Sequence, residues 1–279
     1  QFYTDEMNCR ALERLGLETS LRRALRSGEL FLQYQPQVDL ARSRITGVEA
    51  LLRWRHPEQG LIPPGRFIPV AEETGLILPV GDWALRAACN QGKAWQDAGL
   101  PPLRIGVNLS GQQFKQPGFV DLVRRTLDET GMSPELLDLE LTESMFADGS
   151  DETLERLRAL KSMHVRLALD DFGTGCSSLS YLRKCPIDRI KIAQTFVRGI
   201  PSDSRDVAIV ETILAMARSL QLDVIAEGVE TAEQFAFLGS RHCNEMQGCY
   251  FSGPLLPQDL ERLLREGSVP LDKRPEAPS

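Results

Sequence analysis

Five segments of this 279-residue chain share one pattern: a short apolar run closes on a polar or charged residue, and a turn follows. They are Ile105–Asn108, Leu136–Glu140, Val165–Asp171, Ile187–Lys191 and Val224–Glu227. Buried strands rarely end on charge by accident, because a carboxylate withdrawn from water needs a cation, a metal or several hydrogen-bond donors. Helical periodicity fills the intervals, predicting helices over 83–98, 117–129, 151–162, 204–220, 231–238 and 257–265, with a short one at 177–183. Asp203 or Ser204 reads as an N-cap. Strands are expected at 103–108, 136–141, 165–170, 187–191 and 222–226, with a weak one at 243–247. Two earlier runs, Leu30–Val38 and Ile45–Trp54, are joined by so few residues that they must pair antiparallel.

Eight strands alternating with helices imply an α/β fold, a modified (β/α)8 TIM-like barrel with its first strand antiparallel. A doubly wound open sheet is the alternative, weakened because no G-x-G-x-x-G follows a strand. In a barrel the C-terminal ends of parallel strands share one mouth, so residues distant in sequence converge there.

Residues 1–28, with Met7, Ala11, Leu15, Leu21 and Leu25 among charges, read as a lead-in helix and linker from an upstream domain. Residues 29–268 form the barrel, and 269–279, carrying Pro270, Pro275 and Pro278, read as a disordered tail. The first residue is Gln1 rather than Met, as in a piece of a longer protein. The formal charge of −7 argues against a nucleic-acid polymer as partner, though not against a small phosphate ligand. Six scattered cysteines without a C-x-x-C pair argue against zinc or a disulfide framework, and read as reduced cytoplasmic thiols. No signal peptide or membrane-length apolar run is visible. A membrane anchor, where the full-length protein has one, would lie in segments outside this sequence.

The adjacent Asp170 and Asp171 precede Gly173 and Gly175, and such a pair at a strand end can bridge two cations. Taken alone, the pair reads equally well as a helix N-cap before glycine. Glu140 and Glu143 alone read as surface acids and Glu49 alone as ambiguous, while snorkelling to solvent is the less favoured of two readings for Lys191. Glu227 ends a strand, whereas Glu230 reads as a helix-start residue. His56, His164 and His242 have no metal-binding spacing and read as structural. Together, Asn108, Glu140, Asp170, Asp171, Lys191 and Glu227 at one mouth point to a divalent-metal site.

The motifs Glu49–Trp54 (EALLRW), Asn108–Ser110, Glu140–Glu143 (ELTE), Asp170–Gly175 (DDFGTG), Lys191–Ile192, Ala226–Glu230 (AEGVE) and Gln247–Gly248 occur in order. This series, from about residue 16 to 265, resembles the EAL domain, a cyclic di-GMP phosphodiesterase family. The opening Phe2–Met7 resembles the tail of a diguanylate-cyclase-like (GGDEF) domain, often fused upstream. The resemblance implies hydrolysis of cyclic di-GMP to linear pGpG with two Mg²⁺ or Mn²⁺ ions per site. Glu49, Asn108, Glu140 and Asp170 would hold one metal; Asp170, Asp171 and Glu227 would hold the other. Lys191 would steady the attacking water and the developing charge, with Gln247 supporting its orientation. Gln35 and Arg53 would contact substrate, and Glu143 would anchor the loop 171–178, near a homodimer contact in the family. Ca²⁺, with longer and looser coordination, is expected to inhibit.

Three departures stand out: Ala193 where the family usually has Asp, Cys176 where it has Tyr, and Cys249 where a bulky residue is common. The first lies close enough to the chemistry to affect turnover. Two other readings remain: an EAL domain of low or no activity that acts as a cyclic di-GMP receptor, and another metal-using barrel enzyme acting on sugar phosphates.

Overall fold

The computed structural model describes residues 5–146, 150–175 and 182–266. The lead-in helix α1 (Asp5–Ser27) runs into β1 (Leu30–Asp39), which pairs antiparallel with β2 (Arg44–His56) from Leu30↔Trp54 to Asp39↔Arg44. The chain continues through β3 (Gly60–Ile62), α2 (Pro64–Glu73), α3 (Ile77–Asp97), β4 (Arg104–Asn108), α4 (Gly111–Lys115), α5 (Phe119–Thr130), β5 (Leu137–Thr142) and α6 (Asp151–Ser162). It ends with β6 (Arg166–Phe172), β7 (Arg189–Ile192), α7 (Gln194–Val197), α8 (Ser204–Ser219), β8 (Asp223–Ala226), α9 (Ala232–Ser240), β9 (Glu245–Gln247) and α10 (Pro257–Glu266).

Among the described residues nine strands run in the order β1-β9-β8-β7-β6-β5-β4-β2-β3, and the β1–β2 pairing closes eight of them into a barrel. β1 is antiparallel to both neighbours, while β2 and β4 to β9 are mutually parallel. A parallel neighbour needs a crossover of about a dozen residues, so the short 40–43 turn forces this reversal.

Several elements differ from expectation, the short helices α4 and α7 among them. β3 extends β2 outside the ring, and α2 lies in the stretch between Trp54 and residue 83, for which the sequence pattern predicts no element. Pro64 sits in the first turn of α2, where a missing N–H costs nothing, and Phe67, Val70 and Ala71 form a buried stripe at helical spacing. α3 begins at Ile77 rather than 83, with Pro79 in its first turn for the same reason. Most of the short helix expected at 177–183, the tail 269–279, Phe2, Cys176 and Ser178 lie outside the described residues.

The main core lies between the strands and the surrounding helices. A second cluster joins Leu17, Leu21 and Ala24 of α1 to Trp54, Ile62, Phe67 and Val80, so α1 is packed onto the barrel from Leu17 onward. Trp54 donates its indole N–H to Glu29 (3.0 Å), satisfying the only polar atom of a fully buried ring.

The barrel floor is a buried ion network built from strand starts. Arg189, 1% exposed, stands 2.9 Å from Glu245 and 3.5 Å from Asp138. Glu245 also contacts Arg104 and accepts from Thr46 (2.9 Å). Breaking a buried pair from one side leaves a charge without compensation. Arg189→Met should therefore lower stability by about 3–5 kcal/mol in urea denaturation. Adding Asp138→Leu to it should restore part of that loss, because one stranded carboxylate is then removed.

Candidate active site

The C-terminal ends of the parallel strands deliver their polar residues to one mouth. Glu49 comes from β2, Asn108 ends β4, Glu140 lies in β5, Asp170 and Asp171 in β6, Lys191 in β7, and Gln247 ends β9. Glu227 follows β8 and extends its pairing by donating its N–H to the Ile192 carbonyl (3.2 Å). Local sequence explains several placements. Ser110 forms a capping box with Gln113 at the start of α4, which turns the chain directly after Asn108. Gly106 lies under Glu140: a Cβ there would come within 2.1 Å of Glu140 Oε1, so only glycine leaves the carboxylate its place. Asp171 adopts φ 50°, a left-handed conformation that Asp tolerates better than most residues and that departs from strand geometry.

Lys191 Nζ occupies the centre. It lies 2.6 Å from Glu140, 2.6 Å from Glu227, 3.1 Å from Asp170 and 3.5 Å from Glu49. At 1% exposure, Lys191 does not snorkel to solvent. Glu49 is held on both oxygens: Asn108 donates to Oε1 (2.7 Å) and Gln247 to Oε2 (2.6 Å). Gln247 also donates to Gln35 (3.1 Å), and Gln35 donates to the Ser252 carbonyl (3.3 Å). Glu143 lies just outside, in a 3-10 turn after β5, and accepts from the Gly173 and Gly175 N–H groups at 3.2 Å each. It thereby ties the described part of the loop after β6 to β5.

Five carboxylates (Glu49, Glu140, Asp170, Asp171 and Glu227) face this one ammonium, and the electrostatics reflect the excess. Burial pushes the Glu140 carboxyl well above the usual range against the pull of Lys191, with Glu49, Asp170 and Glu227 adding repulsion. Burial lifts Glu227 to about 8, again opposed by Lys191 and reinforced by Asp170 and Glu49. Asp171 is raised by burial and by Asp170. Burial works against the charge of Lys191, but the surrounding carboxylates, led by Glu140, hold its ammonium well above the ordinary lysine value. Glu49 alone is lowered: Lys191, Gln247 and Asn108 outweigh its burial.

This donor set fits a divalent cation. Asp170 Oδ1 and Glu227 Oε1 are buried with no hydrogen bond of acceptable geometry, and only the Lys191 ammonium stands within ion-pair distance. Ligand atoms of Asp170, Asp171 and Glu227 lie within 4.8 Å of one another, which suits one metal ion. Glu49 and Asn108 are hydrogen-bonded to each other, and Glu49, Glu140 and Asp170 all approach the same Lys191 ammonium.

Arg53 stands apart from the acids. It donates to Gln33 (2.7 Å) and borders a cleft of about 250 Å³ that Leu32, Ala50, Ile68, Asn108 and Ser110 also line. Glu230 is exposed and outside the cluster, before the Thr231 cap of α9. Ala193 is 1% exposed and serves as the N-cap of α7 without a side-chain cap. Of the three histidines, His56 is buried and hydrogen-bonded to the 58 and 59 backbone, and the others are exposed. Sequence reasoning missed Gln33 and Gln37, although Gln33, Gln35 and Gln37 recur at period two along β1, the signal of one strand face.

The EAL domain profile matches residues 18–254. Cyclic di-GMP phosphodiesterase NbdA of Pseudomonas aeruginosa is 44% identical over 265 residues, which is 95% of this chain and 34% of NbdA. The bifunctional diguanylate cyclase/cyclic di-GMP phosphodiesterase MucR of the same organism is 45% identical over 259 residues, 93% of this chain and 38% of MucR. The chain thus spans about a third of the length of these curated relatives. A solved PaMucR phosphodiesterase in complex with c-di-GMP superposes with a TM-score of 0.85 at 45% identity, covering 88% of this chain and 99% of that one. By profile, identity and fold alike, the chain belongs to the EAL domain family.

Proposed function

We propose that this chain is a metal-dependent phosphodiesterase that hydrolyses cyclic di-GMP to linear pGpG. The observation that carries the reading is the buried excess of carboxylate around a single ammonium at the barrel mouth. Relatives named for this activity and the c-di-GMP-bound fold neighbour support it.

In this reading Glu49, Asn108, Glu140 and Asp170 hold one Mg²⁺ or Mn²⁺, and Asp170, Asp171 and Glu227 hold a second. Bound there, the ions would acidify a water and neutralise charge on the phosphodiester. The protein's own residues do the rest. Lys191 presents a fixed, desolvated positive charge where negative charge develops on the phosphoryl oxygens. Asn108 and Gln247 lock the Glu49 carboxylate in orientation, and Glu143 fixes the turn that follows Asp171 through the Gly173 and Gly175 N–H groups. Arg53 and Gln35 take the ligand's polar groups, with the guanidinium suited to a phosphate oxygen. A homodimer, a diguanylate-cyclase-like domain upstream and a cytoplasmic location belong to the same reading. No helix among the described residues is long and apolar enough to cross a membrane.

The direct test is incubation with cyclic di-GMP, separating pGpG by chromatography. Product should form with Mg²⁺ or Mn²⁺, vanish in excess chelator and be suppressed by Ca²⁺. Asp170→Asn should abolish turnover and weaken metal binding more than Glu49→Ala does, since Asp170 belongs to both ligand sets. Binding of the dinucleotide without turnover at any metal concentration would make the chain a receptor instead.

Glu227 gives a second prediction. With its folded pKa at about 8 against 4.5 for the free group, the metal-free fold binds a proton that the unfolded chain lacks. Its contribution to stability is therefore full below pH 4.5 and lost as pH rises through about 8. The melting temperature of metal-free protein should fall across that window, and Glu227→Gln should flatten the decline. Mn²⁺ affinity should rise over the same range, because binding must expel the proton.

A further inference from the structure

We infer that Gln37 is a positioning residue for the acid cluster, reinforcing the sense in which the Gln247 amide meets Glu49 and holding that amide in place. The inference rests on the functional reading above and extends it to a residue that touches none of the carboxylates at the mouth.

Gln37 lies on β1, deeper in the barrel than Gln35, and is 2% exposed. Its Nε2 donates to Gln247 Oε1 (3.1 Å), and its Oε1 accepts from Arg189 Nη1 (3.4 Å). Gln247, 3% exposed, passes its own Nε2 to Glu49 Oε2 at 2.6 Å. A continuous buried chain thus runs from Arg189 in the floor network through Gln37 and Gln247 to Glu49 at the mouth.

The direction of this chain is fixed by the chemistry of its two ends. A guanidinium can only donate and a carboxylate can only accept. Arg189 therefore draws the Oε1 of Gln37 and turns its Nε2 toward Gln247. Gln247 answers with Oε1 and must present Nε2 to Glu49. An amide is nearly the same shape either way round, so packing alone would not prevent Gln247 from turning its oxygen on Glu49. Glu49 and the Oε1 of Gln35 already draw the Gln247 Nε2 from one side, and Gln37 reinforces that sense by donating to Oε1 from the other.

Two backbone features serve the same side chain. Gly47 stands directly opposite Gln37 in the β1–β2 ladder, and a Cβ there would lie 2.8 Å from Gln37 Oε1 and 3.2 Å from the Arg104 carbonyl. The ladder also shifts register between Gln37 and Val38, an irregularity of the kind that re-aims a side chain. The glycine and the register shift together make room for an amide where the strand pair would otherwise close.

The test is calorimetric Mn²⁺ titration and steady-state kinetics on the parent chain, Gln37→Met, Gln247→Met and the double variant. Methionine keeps the length of glutamine and removes its polar groups. Gln37→Met should weaken Mn²⁺ binding by roughly 10–100-fold, the scale of groups that orient metal ligands. It should lower kcat by more than it raises KM for cyclic di-GMP, since Gln37 reaches the substrate side only through the Gln247–Gln35 bond and Arg53 is untouched. The double variant should bind Mn²⁺ no more weakly than Gln247→Met alone, because Gln37 acts through Gln247. Gln37→Glu guards against a folding failure. It can still accept from Arg189, but it offers Gln247 a second acceptor, so it should also weaken Mn²⁺ binding while melting at or above Gln37→Met. Unchanged Mn²⁺ affinity and kcat in Gln37→Met and Gln37→Glu, or losses that add in the double variant, overturn the positioning role and leave the functional reading standing. A parent chain that binds no Mn²⁺ overturns the functional reading and this inference with it.

Discussion

One ammonium holds the mouth of this barrel together. Four carboxylates lie within 3.5 Å of Lys191 Nζ, and like charges so close in a site shielded from water repel strongly unless something intervenes. A lysine is suited to that place because its compact charge sits on a flexible stem and can be approached from several directions at once. Much of the surrounding architecture then answers to it. Gly106 is bare so that Glu140 can come in, Asn108 ends its strand beside Glu49, and Glu227 sits at the first residue past β8. The cation nonetheless cancels only part of the charge around it, and the remaining negative excess is what gives the mouth its chemistry.

The two ends of the barrel handle buried charge differently. At the floor, Arg189 and Arg104 meet Asp138 and Glu245, so positive and negative groups balance. At the mouth they do not. Even at the floor, Asp138 Oδ1, Arg189 Nε and Glu245 Oε2 lack a hydrogen bond and burial raises the Asp138 carboxyl, so pairing offsets the desolvation cost only in part. The mouth keeps a net negative charge, and burial raises its Glu140 and Glu227 carboxyls with like-charged neighbours adding to the shift. The same fold thus carries a charge-balanced network and a charge-unbalanced one along one axis, with the lumen between them.

Much of this was legible in the sequence because strand ends announce themselves. The polar closures at Asn108, Glu140, Asp170, Lys191 and Glu227 lie where the pattern puts them, at successive C-terminal ends of parallel strands. The antiparallel β1–β2 pair followed from turn length alone. What escaped was whatever depended on context. α2 holds Pro64 in its first turn and Pro69 in its interior, and α3 holds Pro79 in its first turn; proline is a helix-breaking signal, which hides α2 and the start of α3 from a periodicity reading. Arg189 opens a strand of four residues, and nothing in Arg189–Ile192 tells a floor arginine from a surface one. Gln37 is uncharged and unremarkable in a polar strand; its role is visible only once Gly47 stands opposite and Gln247 above it. Lys191 was ambiguous for a related reason, since a long side chain can snorkel or stay buried, and only the packed acids decide.

The β1–β2 hairpin carries one more implication, for how the protein tolerates changes of length. Arg53 and Trp54 are neighbours in β2 facing opposite sides: Arg53 reaches Gln33 beside the cleft, and Trp54 is sealed under α1. A slip of one residue would exchange them, putting an indole into the polar lumen and a guanidinium into an apolar cluster, and it would do the same to each pair along both strands. The hairpin is therefore permissive at its 40–43 turn, where an extra residue is only solvated, and intolerant within its strands. Insertions and deletions here act as a frameshift in space, leaving the reading direction of the strand intact while scrambling which face each residue addresses.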